Sequence, residues 1–126
     1  MWCRTPPYSR RPQAPQQYWA TQWGAVAIDD VNSSLGVIGV TNYNSKKEAG
    51  EEVLSECRKK GGRACKVLHS YYNQCVAVAW GTTGISALSA GTLDAALSRV
   101  MNDCSSHTQD CEIFYRACSY PVLRNR

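Results

Sequence analysis

Between Trp23 and Ala117 the chain alternates two textures: short runs of small and β-branched residues, and longer stretches in which apolar side chains return at helical spacing. Ala25, Val26, Ala27 and Ile28, a polar turn from Asp29 to Ser34, then Leu35, Val37, Ile38 and Val40 predict a β-hairpin. Ser45 with Glu48 forms a capping box, Ala49, Val53, Leu54 and Cys57 follow on one helical face, and Gly61 and Gly62 end the helix. A strand is predicted from Cys65 through about Tyr71. The same order then returns: strand Val76 to Trp80, strand Ile85 to Ala90, a helix capped by Thr92, and strand Cys111 to Ala117. The second helix has the cleaner stripe, with Leu93, Ala96, Leu97, Val100, Met101 and Cys104 on one face.

The two series superpose residue by residue. A shift of 52 carries Ala25, Val26, Ala27 and Ile28 onto Ala77, Val78, Ala79 and Trp80; a shift of 47 carries Val53, Leu54 and Cys57 onto Val100, Met101 and Cys104; a shift of 46 carries Cys65 and Val67 onto Cys111 and Ile113. The shift shrinks only where loops shorten. The expected architecture is α+β: two β-β-α-β pseudo-repeats, residues 22–73 and 74–120, forming a mostly antiparallel sheet with two packed helices.

Six of the seven cysteines follow the repeat. Cys57 and Cys65 flank one helix-to-strand turn and Cys104 and Cys111 the other, a spacing that suits a short disulfide across each. Cys75 opens the first strand of the second copy and Cys118 closes its last; their counterparts in the first copy are Trp23 and Tyr72. If those strands are neighbours, a Cys75–Cys118 disulfide in one copy corresponds to a Trp23–Tyr72 aromatic contact in the other. The chain-entropy model gives roughly 2.6 kcal/mol for each short link and roughly 4.0 kcal/mol for the long one, as upper values that ignore strain. Cys3 is left over, either paired with a cysteine in a preceding segment or free and prone to dimerise the protein.

Composition narrows the setting. A chain of 126 residues has room for one domain of ordinary size. High cysteine usage without a Cys-x-x-Cys pair favours an oxidising compartment over zinc binding or thiol redox chemistry. Residues 1–21 hold four of the five prolines and read as a flexible Pro/Arg-rich arm, and residues 121–126 read as a basic tail. These termini carry much of the net charge of +4, and no stacking platform or recognition helix accompanies the basic residues, so nucleic acid is not an expected partner. No apolar run is long enough for a transmembrane helix. The first twenty residues carry arginines and prolines in place of the apolar core of a signal peptide, so the expectation is a periplasmic or secreted protein in mature form, its leader absent and Met1 an added start.

Several segments together resemble a bacterial domain of unknown function, family 4189, over about residues 22 to 120. They are Trp-Gly-Ala-Val-Ala-Ile-Asp at 23–29, Glu56-Cys57, Ala-Cys-Lys-Val at 64–67, Tyr-Tyr-Asn-Gln-Cys at 71–75, Ala-Trp-Gly at 79–81, and Cys-Glu-Ile-Phe-Tyr with Ala-Cys-Ser within 111–119. The likeness is strongest to short secreted members from xanthomonad-type bacteria. It implies export, and it brings no enzymatic motif with it. Cys3 and the proline-rich arm lie outside the resemblance.

Candidate chemistry is sparse. His69 falls mid-strand, facing opposite to Leu68, and reads as a partly exposed surface histidine; His107 falls among turn residues between Cys104 and Cys111. The disulfides leave no domain thiol for cysteine catalysis. Asp29 and Asp30 read as turn residues, Glu51 and Glu52 as a solvated helix face, and Asn32-Ser33-Ser34 as a polar turn that only happens to match a glycosylation acceptor. No catalytic residue, metal site or cofactor is assigned. Aromatic residues are the more promising feature, because four tryptophans and seven tyrosines against one phenylalanine put a polar handle on most rings. Tyr71, Tyr72 and Asn73 at the junction of the repeats, Trp80 before a glycine-rich turn, and Trp19 are the candidate partner-binding residues. For each the alternative is structural: Tyr72 against Trp23, Tyr71 lining the sheet, and Trp80 in the core like its counterpart Ile28. The expectation is thus a non-enzymatic exported binding protein, an immunity or inhibitor protein that meets a cognate toxin, with a secreted effector, an envelope factor or a hydrolase as alternatives.

Overall fold

The computed structural model describes residues 16–125. The elements in chain order are β1 (Gln17–Ala20), β2 (Trp23–Asp29), β3 (Ile38–Tyr43), α1 (Lys46–Lys59), β4 (Cys65–Tyr72), β5 (Cys75–Trp80), β6 (Ile85–Ala90), α2 (Leu93–His107), β7 (Glu112–Cys118) and β8 (Val122–Asn125). Both β-β-α-β units are present, in an α+β fold with all pairings antiparallel. Their strands do not join into one sheet. Each unit builds its own three-stranded sheet, β3-β2-β4 and β6-β5-β7, with the first strand of the unit in the middle.

The reason lies in β2 and β5, which are buried on both faces. Alternate residues face opposite ways along a strand, and here the two sides differ in size. Ala25 and Ala27 face Ala49, Val53 and Cys57 of α1, and Ala77 and Ala79 face Ala96, Val100 and Cys104 of α2. Val26, Val76 and Val78 face the other way and meet in a third cluster with Tyr71, Leu68, Ile85 and Tyr115, drawn from both units. The layers therefore run helix, sheet, sheet, helix. Alanines let each helix sit close to its sheet, whereas the branched side chains fill the space between the sheets. A single shared sheet would expose that second apolar face; stacking two sheets buries it.

Each sheet carries a β-bulge at the same place. Between Val26 and Ala27 the partner register skips from His69 to Val67, and between Val78 and Ala79 it skips from Tyr115 to Ile113. Leu68 and Phe114 are the extra residues. The bulges leave His69 and Tyr115, equivalent by the repeat, facing the opposite sheet. His69 Nε2 lies 3.1 Å from Ser89 Oγ on β6, and the Tyr115 ring covers Gly39 on β3, where any Cβ would overlap it. His69 is consequently not the surface residue that plain strand alternation predicts; it is half-buried between the sheets, and burial pulls its pKa down from 6.5.

The helices begin as the sequence indicates, with Ser45 Oγ accepting from Glu48 N and Thr92 Oγ1 accepting from Ala95 N. α1 stops before Gly61-Gly62, and Gly62 N donates to Cys57 O at 3.0 Å. Disulfides join Cys57 to Cys65, Cys104 to Cys111 and Cys75 to Cys118. Cys75 and Cys118 are direct cross-strand partners, as are Trp23 and Tyr72, whose rings lie 4.7 Å apart. One position is thus filled by a covalent link in one unit and an aromatic pair in the other. Neither helix is long and apolar enough to cross a membrane.

Parts of the expected flexible arm and basic tail are strands: Gln17–Ala20 and Val122–Asn125 pair as an antiparallel ribbon in which Trp19 faces Leu123. Strand-forming residues in both segments supply the physical reason, but neither run announces its partner a hundred residues away. Residues 1–15 of the arm, with Cys3, lie outside the described residues.

Candidate functional site

Three of the candidate residues serve the scaffold. Tyr71 is 2% exposed and belongs to the layer between the sheets, so it is not part of a surface patch. Burial, reinforced by Tyr115, pushes its hydroxyl above the usual phenol range. Tyr72 is exposed on one side but lies on Trp23. Asn73 takes a left-handed turn conformation with φ of 53° and locks the junction, its N donating to Gln22 O and its Oδ1 accepting from Gln22 N, both at 3.0 Å. Trp19, 68% exposed, stands on the terminal ribbon.

Trp80 sits elsewhere. It continues the row of Val76 and Val78 past the end of the inter-sheet layer and reaches the wall of a cleft of about 450 Å³, lined also by Ser33, Gly81, Thr82, Asp110, Glu112 and Phe114. Register places the acidic group: Glu112 is the cross-strand partner of Trp80. The bulge places the second ring, since Phe114 is its unpaired residue and lies 5.5 Å from Trp80, centroid to centroid, at 58°. Trp80 is half-buried, not a core residue like its counterpart Ile28. The expectation of core burial fails because the position is the last of its strand, where the opposing sheet no longer covers it.

Two polar networks hold the walls. In the first unit the Asp29 carboxylate, itself buried, accepts four backbone N–H bonds: Oδ1 from Val31 and Asn32, both at 2.8 Å, and Oδ2 from Arg63 at 2.7 Å and Ala64 at 3.0 Å. The Ala64 bond leads the others in holding its pKa below the usual 3.8, against an opposing push from burial. Asn32 Oδ1 then accepts from Ser34 N at 3.2 Å and caps the short turn that carries Ser33. Asp29 is also close to the sulfurs of Cys57 and Cys65, all within 4.8 Å. With the sulfurs bonded to each other and the carboxylate oxygens occupied by backbone donors, that cluster offers a metal no free ligand.

The second network is one that sequence reasoning missed. Ser86 Oγ lies 2.6 Å from Asp103 Oδ2 and 2.9 Å from His107 Nε2, bringing a hydroxyl, an imidazole and a carboxylate together. The i, i+4 spacing of Asp103 and His107 was the available signal; Ser86 had none, being placed only by sheet register. The order of the bonds differs from that of a nucleophile triad, in which one imidazole nitrogen faces the hydroxyl and the other the carboxylate. Here Nε2 faces both, 3.6 Å from Asp103 Oδ2, while Nδ1 is turned towards Gly84. The hydroxyl donates its proton to Asp103 Oδ2, so the contact with His107 is a hydrogen bond in the tautomer that carries a proton on Nε2. The arrangement fixes the end of α2, from which Thr108 Oγ1 accepts from Thr83 N at 2.8 Å, while Thr82 N donates to Gln109 O at 2.8 Å. Gly81 lacks the Cβ that would strike the Thr108 methyl, so this loop lies flat against the wall.

A family model for a domain of unknown function, DUF4189, matches residues 23–118. The chain belongs to that family. The match spans both units of the DUF4189 domain and all three disulfides, and it begins after the β1 strand and ends before β8. No curated protein and no solved structure matches the chain. Within the DUF4189 domain the most informative comparison is internal. Trp80, Glu112 and Phe114 correspond through the repeat to Ile28, Lys66 and Leu68. In the first unit Ile28 is buried, Leu68 is packed into the inter-sheet cluster and the exposed Lys66 bonds through Nζ to Asp30 Oδ1 at 2.9 Å. In the second unit the same three backbone positions form an open, aromatic and acidic cleft.

Proposed function

We propose that this DUF4189 protein is a non-catalytic binding protein that works outside the cytoplasm, as a periplasmic inhibitor that neutralises a bacterial toxin by direct contact. The observation that carries the binding reading is the cleft at Trp80: preformed, walled by two hydrogen-bonded networks, and lined by side chains that the fold itself does not need, since the first unit does without them. The residue types an enzyme would use are engaged in holding loops. Asp29 accepts four backbone donors, and the Ser86 proton is directed to Asp103. Three disulfides support an oxidising compartment, and a cross-linked scaffold presenting fixed side chains suits tight inhibition, because little order is lost on binding.

The test is deletion of the gene in the producing bacterium, followed by growth in contact with unmodified siblings and by mild capture of partners on the oxidised protein. The inhibitor reading expects the deleted strain to be killed or growth-inhibited by its siblings and a toxin to be captured. Unimpaired growth with no captured protein overturns it. Trp19, exposed beside Arg124 on the terminal ribbon, favours a second reading as an envelope-associated factor; such a factor would remain with membrane or wall fractions, and its loss would not sensitise the cell to siblings.

A further inference from the structure

We infer that the Trp80 cleft takes the guanidinium of an arginine side chain from the partner protein, an inference that rests on the binding reading and gives it a chemistry. The chain carries a net charge of +4, yet among the described residues those lining this cleft include two carboxylates and neither lysine nor arginine. Acidic groups are thus concentrated against the overall charge. They stand beside two rings, and an aromatic face attracts a cation, arginine more often than lysine because its planar group also stacks.

The placement fits one occupant. Glu112 is paired across the strand with Trp80, so its carboxylate rises beside the indole, and a guanidinium lying on an aromatic face there can donate two parallel N–H bonds to one carboxylate. Asp110 faces it from the loop. That residue is in a left-handed conformation, φ 58°, and the preceding Gln109 O accepts from Thr82 N at 2.8 Å and from Thr82 Oγ1 at 3.1 Å, which ties the loop to the cleft wall. Phe114 is 50% exposed although it lies against Trp80, leaving apolar surface for the methylene stem of a long side chain. A cleft of about 450 Å³ holds one such side chain and its backbone, not a folded element.

The internal repeat supplies variants that keep the fold. Trp80→Ile, Glu112→Lys and Phe114→Leu install the residues the first unit carries at the same backbone positions, and Asp110→Asn removes the remaining charge. The probe is Nα-acetyl-arginine amide, titrated into the oxidised full chain while amide and indole N–H resonances are followed by NMR. Nα-acetyl-citrulline amide, its neutral near-isostere, is the control, and chitotriose is the competing chemistry. The expected result is saturable shifts confined to Trp80, its indole N–H, Thr82, Asp110 and Glu112. Binding of the citrulline probe should be roughly two- to fivefold weaker, and so should binding of arginine to Glu112→Lys or to Asp110→Asn. Equal affinity for the two probes, shifts elsewhere, or tighter binding of chitotriose at these residues overturns the inference. The inhibitor reading fails separately. A captured toxin that binds the Glu112→Lys chain as tightly as the native one removes the cleft inference and leaves inhibition standing, whereas selective arginine binding without any captured toxin does the reverse.

Discussion

His69 shows how far one residue's surroundings can depart from its local sequence. Its neighbours on the chain are those of a surface strand, but a bulge turns it into the space between two sheets, near Ser89 and the Tyr71 ring. Burial disfavours its charged form and lowers its pKa from 6.5. The unfolded chain therefore takes up the proton first as the solution is acidified, so the stability His69 contributes is complete above about pH 6.5 and is lost as the pH falls towards the lower folded value. Chemical denaturation at pH 7.5 and at pH 5 should show a larger loss for the native chain than for His69→Gln, which keeps a hydrogen-bonding group and cannot titrate. An equal loss in the two proteins would remove His69 as the cause. Residue-level legibility was poor for the same reason. Ser86 and Asp103 meet only because β6 and α2 are packed together, and Asp29 reads as a turn residue although it is the hub of four backbone bonds. Trp80 was visible as a candidate because its glycine-rich turn is written in the sequence, although its counterpart Ile28 pointed to the core; Glu112 and Phe114 were not, since pairing and bulge position decide where they stand.

At the scale of elements the sequence was far more transparent. Caps, glycine stops and apolar stripes are local signals, and both helices and the six strands of the two units follow from them. The pairing of cysteines was legible because the two units can be compared, and it carries a quantitative expectation. Replacing Cys75 and Cys118 together by alanine should lower the unfolding free energy by up to about 4 kcal/mol, against about 2.6 kcal/mol for either short link, because the longer loop constrains the unfolded chain more. Urea denaturation of the three double variants measures the order. The ribbon of β1 and β8 was not legible, because a two-stranded pairing between chain ends has no turn to announce it. Among the described residues it also pairs with no third strand. Its amides should exchange with solvent much faster than those of β2 and β5, which lie between a helix and a second sheet; hydrogen exchange read by mass spectrometry or NMR checks this directly, and equal protection would mean that the ribbon is anchored by contacts beyond its own pairing.

For the molecule as a whole, the layer between the sheets does more than fill space. Val26, His69 and Tyr71 from one unit meet Val76, Val78 and Tyr115 from the other, yet each unit has its own helix, its own disulfide and its own alanine-lined core. The surface that joins the units is thus the kind of surface through which two identical chains could join, each offering the same face to the other about a rotation axis. Residues 22–73 expressed alone, oxidised, should therefore be found as a homodimer in sedimentation experiments, held by Val26 and Tyr71, and Val26→Asp should return it to monomer or unfold it. The two units of the chain thus meet as the subunits of a symmetric dimer would. Because both units lie in one chain, equivalent positions can differ, and they do: Ile28, Lys66 and Leu68 in the first unit stand where the second has Trp80, Glu112 and Phe114. A symmetric dimer of identical chains would carry the same three residues, and so the same cleft, at both sites.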